Sequence, residues 1–238
     1  MENSKILIGN MKMNLTYPEV MEYIEQMKKY NNFIICPSSL YIPYFIENGF
    51  TVGMQNISEY GQGAYTGEIS VTQANSLNIR YSLVGHSERR IKFNETDEII
   101  NNKLRKAVSN DIIAVLCIGE TIEEKEQLLT KEVLKKQIIN DLNEVDEFYL
   151  KNIIIAYEPV WAIGTGKVPS IEEIKEIIEY IKKIVNEKFG FIPKVLYGGS
   201  INEKNIYDLK TIDIVDGFLV GGACLVPEKF IRIIETIN

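Results

Sequence analysis

Histidine, cysteine and tryptophan are scarce in this chain of 238 residues, which contains one histidine, three cysteines and one tryptophan. The cysteines, Cys36, Cys117 and Cys224, are odd in number and widely spaced, and each lies in or just after an apolar run. That pattern favours reduced, buried thiols. With one histidine and no closely spaced cysteine pair, a structural zinc site is nearly excluded, so we predict no metal.

Positive charge is also in short supply, since 26 Lys and Arg stand against 33 Asp and Glu, for a net charge of −7. This balance argues against a nucleic acid as the partner. It also means that any anion site must be built locally, from main-chain N–H groups, helix N-termini and a well-placed lysine.

Long apolar runs are missing as well, because no stretch approaches about 18 consecutive apolar residues, and we expect no membrane span. The first residues do not look like a signal peptide, and the last do not match a peroxisomal address. We therefore expect a cytoplasmic protein.

Short apolar runs alternate with segments of helical periodicity along the whole chain. The runs are continuous, as is typical of strands buried on both faces of a parallel sheet. Eight strand–helix units fit a closed (β/α)₈ barrel better than a doubly wound sheet. We predict a single α/β domain over residues 1–238, with eight parallel strands and outer helices. One long, charged helix is predicted over 122–142 and a short one over 203–209.

Residues 156–166 carry the most informative pattern, Ala-Tyr-Glu-Pro-Val-Trp-Ala-Ile-Gly-Thr-Gly. A buried strand ends by presenting Glu158, and Pro159 stops the ladder because it has no N–H. The apolar stretch that follows contains the only tryptophan and is succeeded by two glycines, which suits a stiff flap with hinges. A carboxylate under such a flap should have its charged form disfavoured, as a general base requires. The alternative is a Glu that caps the next element beside an ordinary loop.

In a barrel, the working groups lie where strands end and loops begin. The paired glycines after strands seven and eight resemble a phosphate cradle, because glycine permits close approach of the backbone. Taken singly, each candidate also has a plain structural reading, such as a solvated lysine, a hydrogen-bonded histidine, a helix cap or a turn. The candidates are Asn10 and Lys12 after strand one, His86 and Glu88 after strand four, Ser200 after strand seven, and Gly221 and Gly222 after strand eight.

Six segments, spread in order over the whole chain, together resemble the triosephosphate isomerase family. They are Gly-Asn-Met-Lys-Met-Asn, Gly-Ala-Tyr-Thr-Gly-Glu, Gly-His-Ser-Glu-Arg-Arg, Tyr-Glu-Pro-Val-Trp-Ala-Ile-Gly-Thr-Gly, Tyr-Gly-Gly-Ser and Phe-Leu-Val-Gly-Gly-Ala. The resemblance implies a TIM barrel that interconverts dihydroxyacetone phosphate and D-glyceraldehyde 3-phosphate through an enediolate, without metal or cofactor.

The resemblance also implies roles for the candidate residues. Glu158 would move a proton between adjacent carbons, and His86 would donate a hydrogen bond as a neutral imidazole. Lys12 would face the developing oxyanion and the phosphate, with Asn10 as a further donor and Glu88 as its ionic partner. The main-chain N–H groups that would bind phosphate belong to Gly164, Ser200, Gly221 and Gly222, beneath a flap over 160–168.

In the family, the loop that corresponds to Gly61–Glu68 docks into a second subunit, so the resemblance implies a homodimer in which Thr66 supports Lys12 of the other copy. The alternative is a mobile surface loop. Gln73 stands where relatives usually have an apolar residue at this contact, and Met11 stands where they usually have Trp.

A third departure lies at the end of the flap, where Pro169 replaces the usual Ala. In the family, the closed flap is latched by a tyrosine hydroxyl, here Tyr197, bonded to that residue's N–H, which proline lacks. Either a neighbouring donor such as the Ser170 N–H replaces it, or the latch is missing.

Two other functions fit a phosphate-binding barrel. The first is a Schiff-base aldolase that uses Lys12 as its nucleophile, and the second is a non-catalytic barrel that acts as a binding protein.

Overall fold

The computed structural model describes residues 5–237, in which eight parallel strands form a closed ring. Each strand pairs with the next along the chain, and the last pairs with the first, with Ile6 opposite Gly217. The prediction of a (β/α)₈ barrel is therefore confirmed. The strands are β1 (Ile6–Asn10), β2 (Ile34–Cys36), β3 (Thr51–Met54), β4 (Tyr81–Val84), β5 (Ile113–Ile118), β6 (Ile153–Tyr157), β7 (Lys194–Tyr197) and β8 (Gly217–Val220).

Helices surround the ring and bury their apolar stripes against the outer face of the strands. In the longest helix, Ile174, Ile178 and Ile181 recur at helical spacing and are fully buried. The helices are α1 (Tyr17–Met27), α2 (Ile42–Glu47), α3 (Val71–Ser76), α4 (Ser87–Lys92), α5 (Asp97–Val108), α6 (Ile122–Glu126), α7 (Thr130–Asp141), α8 (Ile171–Phe189), α9 (Ile206–Leu209) and α10 (Pro227–Ile237).

The strands are apolar throughout because both of their faces are buried. One face packs against the helices, while inward-facing residues such as Ile8, Val115 and Leu196 fill the barrel. The three cysteines are free and buried, as predicted. Burial raises the pKa of the Cys36 thiol to about 12, which makes it an inert core residue.

The predicted helix over 122–142 is wrong in extent, because the chain turns at Leu128 and forms α6 and α7 instead. Leu128 has φ 61°, in the left-handed region. The two parts bury different amounts of surface, since α6 has no buried residue whereas Leu134 and Ile138 of α7 are fully buried. Helical periodicity cannot reveal a single left-handed residue on the surface, so the sequence suggested one helix.

The predicted helix over 203–209 is also too long, and α9 begins only at Ile206. The side chain of Asn202 accepts hydrogen bonds from the N–H groups of Lys204 and Asn205 at 2.9 and 3.1 Å. This turn satisfies the donors that a first helical turn would otherwise leave free. A further short helix, α4, lies directly after β4 and was not predicted as a separate element.

Candidate active site

Glu158 follows β6 at the carboxyl end of the barrel and is only 4% exposed. Its main-chain N–H donates to the carbonyl of Ile118 at 2.8 Å, which continues the β5–β6 ladder by one residue and fixes the backbone. The side chain lies against Gly198, where a Cβ would come within 2.7 Å of Cγ of Glu158. Glycine at 198 therefore provides the space that the carboxylate occupies. The expected burial of this carboxylate is present.

His86 follows β4 and directs its imidazole toward Glu158, with Nε2 3.4 Å from Oε1 of the carboxylate. Its Nδ1 accepts a hydrogen bond from the N–H of Glu88 at 3.2 Å. An imidazole nitrogen that accepts a bond carries no proton, so the ring proton lies on Nε2 and faces Glu158.

Two effects act on the pKa of His86 in opposite directions. Burial lowers this pKa, while the adjacent Glu158 carboxylate raises it, and the net direction is upward. The bond to the Glu88 N–H works against protonation, because an imidazolium has no lone pair at Nδ1 to accept it. A substrate between His86 and Glu158 would weaken the effect of the carboxylate, so the hydrogen bond at Nδ1 favours the neutral imidazole.

Lys12 reaches the same site from β1 and has a left-handed backbone, with φ 53°. Asn10 stabilises this conformation by accepting the Lys12 N–H at 3.0 Å, and the side chain of Gln55 donates to the Lys12 carbonyl at 2.8 Å. The ammonium donates to Oε1 of Glu88 at 2.7 Å. Burial raises the pKa of Glu88, but the Lys12 ammonium outweighs this and leaves the pKa lower than usual. The cation is thus held in place at both ends of its side chain.

The loops after β6, β7 and β8 close the opposite side of a cavity of about 430 Å³. The hydroxyl of Ser200 accepts from the N–H of Gly166 at 3.3 Å and donates to the carbonyl of Ala162. Eight of the nine predicted residues line this cavity, namely Asn10, Lys12, His86, Glu158, Gly164, Ser200, Gly221 and Gly222. The ninth, Glu88, lines an adjoining cavity of about 720 Å³ that also includes Lys12 and His86.

The flap over residues 160–168 begins with a one-turn 3₁₀ helix, Val160–Ala162, and has left-handed glycines at 164 and 166. The Trp161 indole N–H donates to Oε1 of Glu120 at 2.8 Å, and the Tyr157 hydroxyl donates to the same oxygen at 3.3 Å. Burial raises the pKa of Glu120, although these hydrogen bonds oppose the shift. Glu120 therefore anchors the first hinge.

At the last hinge, Tyr197 forms no latch to a neighbouring donor within the described part of the chain. The hydroxyl of Tyr197 is buried and has no hydrogen-bond partner among the described residues. The proposed substitute donor, the Ser170 N–H, instead donates to Oε2 of Glu173 at 2.8 Å and caps α8. The flap is held near this end by Ser200 rather than by Tyr197.

Sequence reasoning overlooked Gln55 and Glu120 as supports of the site. Gln55 follows β3 directly and Glu120 lies two residues after β5, so both are at the carboxyl end of the barrel, but their hydrogen-bond partners could not be read from the sequence. Within residues 5–237, no three His, Cys, Asp or Glu side chains cluster in a way that could hold a metal ion. In the same part of the chain, no helix has the length and apolar character needed to span a membrane.

Comparison with known proteins gives consistent matches. A family model described as triosephosphate isomerase matches residues 5–237. The triosephosphate isomerase of Mesomycoplasma hyorhinis is 40% identical over 246 residues, which cover 98% of each chain. Those of Alkaliphilus oremlandii and Clostridium botulinum are 37% and 38% identical over 243 residues, which cover 97% of this chain and 98% of theirs.

Proposed function

The chain belongs to the triosephosphate isomerase family, and on that premise we propose that Glu158, His86 and Lys12 carry out its reaction. The enzyme interconverts dihydroxyacetone phosphate and D-glyceraldehyde 3-phosphate, a step of glycolysis. The observation that carries the residue assignment is the 3.4 Å approach of the Glu158 carboxylate to Nε2 of His86 inside a cavity that Lys12 also lines.

Glu158 acts as the general base. Its carboxylate removes a proton from the carbon next to the carbonyl of dihydroxyacetone phosphate, and the C–H electron pair forms the C=C bond of an enediolate. The carbonyl electrons move to oxygen, which accepts a hydrogen bond from Nε2 of His86. The proton of the C1 hydroxyl moves to the C2 oxygen, within reach of the same imidazole nitrogen, while Glu158 returns its proton to C2. The electrons of the C1 O–H bond form the new C=O bond, which yields the aldehyde. One carboxylate serves both carbons because they are adjacent.

Lys12 and Asn10 stabilise the charge that develops on oxygen. The ammonium is fixed by its ion pair with Glu88, so it needs no reorganisation during the reaction. General base catalysis contributes roughly 10²–10⁴-fold in typical enzymes, so much of the acceleration falls to these preorganised charges and donors.

The substrate phosphate occupies the far end of the cavity, near Ser200, Gly221 and Gly222. Main-chain N–H groups of these residues and of Gly164 bind it, which suits a protein whose net charge would repel an anion. The flap closes over the ester and excludes water, so that the enediolate does not expel phosphate.

The Schiff-base aldolase remains a second candidate only if Lys12 can act as a nucleophile. An ammonium paired with a carboxylate at 2.7 Å has no free electron pair, so the geometry favours the isomerase. Borohydride reduction in the presence of substrate tests this directly. The isomerase forms no adduct, whereas the aldolase would be trapped at Lys12.

A coupled assay tests the proposed activity. Protein treated with chelator and dialysed should convert glyceraldehyde 3-phosphate to dihydroxyacetone phosphate without added metal or cofactor, and Glu158→Gln should abolish the conversion while retaining the fold by circular dichroism. Full activity in Glu158→Gln would refute the role of this carboxylate. A folded wild-type protein with no activity would instead favour the non-catalytic binding barrel.

We further propose that two copies pair through the face next to Lys12, and that the dimer resides in the cytoplasm. The large side chains of Met13, Leu40 and Phe93 are 96%, 77% and 63% exposed around the 720 Å³ cavity. The Gly61–Glu68 loop projects nearby, with residues 62–68 exposed and Tyr65 stacked on Tyr60 at 4.3 Å. Such an apolar patch suits a protein interface, in which Thr66 of one copy would support Lys12 of the other.

Sedimentation velocity tests the pairing. Met13→Arg places a charge in the proposed interface and should shift the protein from dimer to monomer at micromolar concentration, with loss of activity. Ile192→Arg is the matched control, because Ile192 is 69% exposed at the other end of the barrel. Equal sedimentation of both variants and the wild type as dimers would place the interface elsewhere.

A further inference from the structure

One lysine outside the cavity contacts both the start of the flap and the first turn of the helix that follows the flap. Nζ of Lys125, in α6, lies 3.7 Å from the centroid of the Trp161 ring. The same Nζ is 3.4 Å from Oε1 of Glu173. Trp161 belongs to the 3₁₀ turn that opens the flap, and Glu173 belongs to the first turn of α8, directly after the flap.

The two partners of Lys125 are themselves fixed. The Trp161 ring is oriented by the hydrogen bond from its N–H to Glu120, so its face is presented to the ammonium. Glu173 accepts from the N–H of Ser170 and is held in the cap of α8. An ammonium over an indole face is attracted by the negative charge of the ring face, and the interaction strengthens as water is excluded.

The contact that Lys125 makes with the flap differs in position from the other contacts of the flap. On the cavity side, Ser200 bonds to Gly166 and Ala162. At the last hinge, Pro169 has no N–H to offer, and the Tyr197 hydroxyl is without a partner among the described residues. On the outer side, Lys125 joins the first hinge to the start of α8.

We propose that Lys125 is a positioning residue that holds the flap in its closed position through Trp161 and Glu173. The inference rests on the proposed function of the flap as a lid. The role of α6, which has no buried residue, would then be to position the Lys125 ammonium.

The single tryptophan makes the test direct, because all indole fluorescence comes from Trp161. The probe is 2-phosphoglycolate, a two-carbon phosphate ester whose carboxylate resembles the enediolate in charge. In the wild type, its binding should change the emission of Trp161 as the flap closes. In Lys125→Met, which keeps the length of the side chain without the charge, the dissociation constant should rise about two- to fivefold.

A second measurement separates a lid role from a general loss of fold. An open lid lets the enediolate break its C–O bond to phosphate, which leaves with the bonding electrons. The ratio of inorganic phosphate released to triose isomerised should therefore rise about two- to fivefold in Lys125→Met. Lys125→Arg should restore both measurements, since a guanidinium also stacks on an indole face.

Lys131→Met is the matched control. Lys131 is an exposed lysine of α7, the next helix, and it pairs with Glu176 and contacts the ring of Tyr180, both in α8. It should match the wild type in both measurements.

Two negative results can be told apart. If the wild-type emission does not respond to 2-phosphoglycolate, the lid step of the proposed function fails, and this inference fails with it. If the wild type responds and Lys125→Met has the same dissociation constant and phosphate release, the lid stands and only the role of Lys125 is overturned.

Discussion

Nε2 of His86 and Oε1 of Glu158 are 3.4 Å apart, although the two residues follow strands β4 and β6, which are separated by β5. Because the imidazole accepts the Glu88 N–H at Nδ1, its only proton faces the carboxylate. A proton acceptor and a proton donor therefore meet at one point of the cavity. This arrangement suits a reaction in which a proton leaves carbon while negative charge grows on the neighbouring oxygen.

Glu158→Asp withdraws the carboxylate from the substrate by about one methylene, so kcat should fall roughly 10²–10³-fold. Phosphate binding involves other residues, so KM should change less than about threefold. Steady-state kinetics in both directions measure the two effects. A large rise in KM at constant kcat would mean that Glu158 serves binding rather than proton transfer.

Gly198→Ala should disturb the same carboxylate without altering its chemistry. A Cβ at 198 would lie 2.7 Å from Cγ of Glu158, closer than carbon atoms approach each other. Glu158 must then shift, and kcat should fall about tenfold or more. Neither of two other glycines provides a control. Gly190 has φ 74°, so its replacement by Ala strains the backbone, and Gly222→Ala alters the phosphate cradle.

A better comparison for Gly198→Ala is the double variant Gly198→Ala with Glu158→Asp, whose shorter side chain frees space. If the clash is the cause, the second change should add little further loss of kcat, and the two effects should not be additive. Full additivity would indicate that Gly198 acts by another route.

Lys12→Met removes the cation that Glu88 fixes in the cavity. The expected loss in kcat/KM is roughly 10²–10³-fold, as for the removal of one preorganised donor. Inhibition by inorganic phosphate should weaken in parallel, because the cation also attracts the ester. Lys131 does not line the cavity, so Lys131→Met should leave both values unchanged. Retained activity in Lys12→Met would mean that groups other than Lys12 stabilise the charge on oxygen.

Tyr197→Phe should not slow the enzyme. The hydroxyl is buried without a partner, so its removal breaks no hydrogen bond and relieves an unsatisfied polar group. We expect kcat within about twofold of the wild type and a free energy of unfolding increased by roughly 1 kcal/mol. Kinetics and urea denaturation check these values. A tenfold loss of activity would show that Tyr197 latches the flap after all.

Asp141→Asn should flatten the dependence of stability on pH. Asp141 in α7 is fully buried against Arg90, with one oxygen 2.6 Å from the guanidinium and the other without a partner in the described chain. Burial raises its pKa from 3.8 to about 7, against the effect of Arg90. The folded state thus binds the proton more tightly than the unfolded state, and the resulting stability is lost as pH rises toward 7.

Urea denaturation at pH 5 and pH 8 measures this effect. Between these values the wild type should lose roughly 2–3 kcal/mol more than Asp141→Asn, at 1.36 kcal/mol per pKa unit. Other carboxylates titrate equally in both proteins and cancel in the comparison. Equal losses would mean that the Arg90 ion pair keeps Asp141 charged throughout.

The sequence predicted the barrel because its physical basis is repetitive. Eight apolar runs such as 153–157 need both faces buried, and only a parallel sheet covered by helices allows this. The residues after those runs, such as His86, then had to share one end of the barrel. What the sequence could not reveal were single-residue events, such as the left-handed turn at Leu128 and the Asn202 turn that shortens α9.

Supports of the site were harder to predict than the candidates themselves. Gln55 and Glu120 act through one or two hydrogen bonds that cross between loops, and no spacing in the chain encodes such pairs. The same holds for Gln73, whose side chain accepts the Ser70 N–H at 2.9 Å and so caps α3. This cap gives a structural reason for a polar residue where relatives usually have an apolar one.

The left-handed backbone of Lys12 sets a limit for anyone who wishes to make this enzyme more heat-resistant. A side chain other than glycine or asparagine at φ 53° is unfavourable by roughly 1 kcal/mol or more. Selection for thermal tolerance alone would therefore favour Gly or Asn at position 12 and remove the cation with it. At position 12, a substitution that raises thermal stability would therefore lower the catalytic rate.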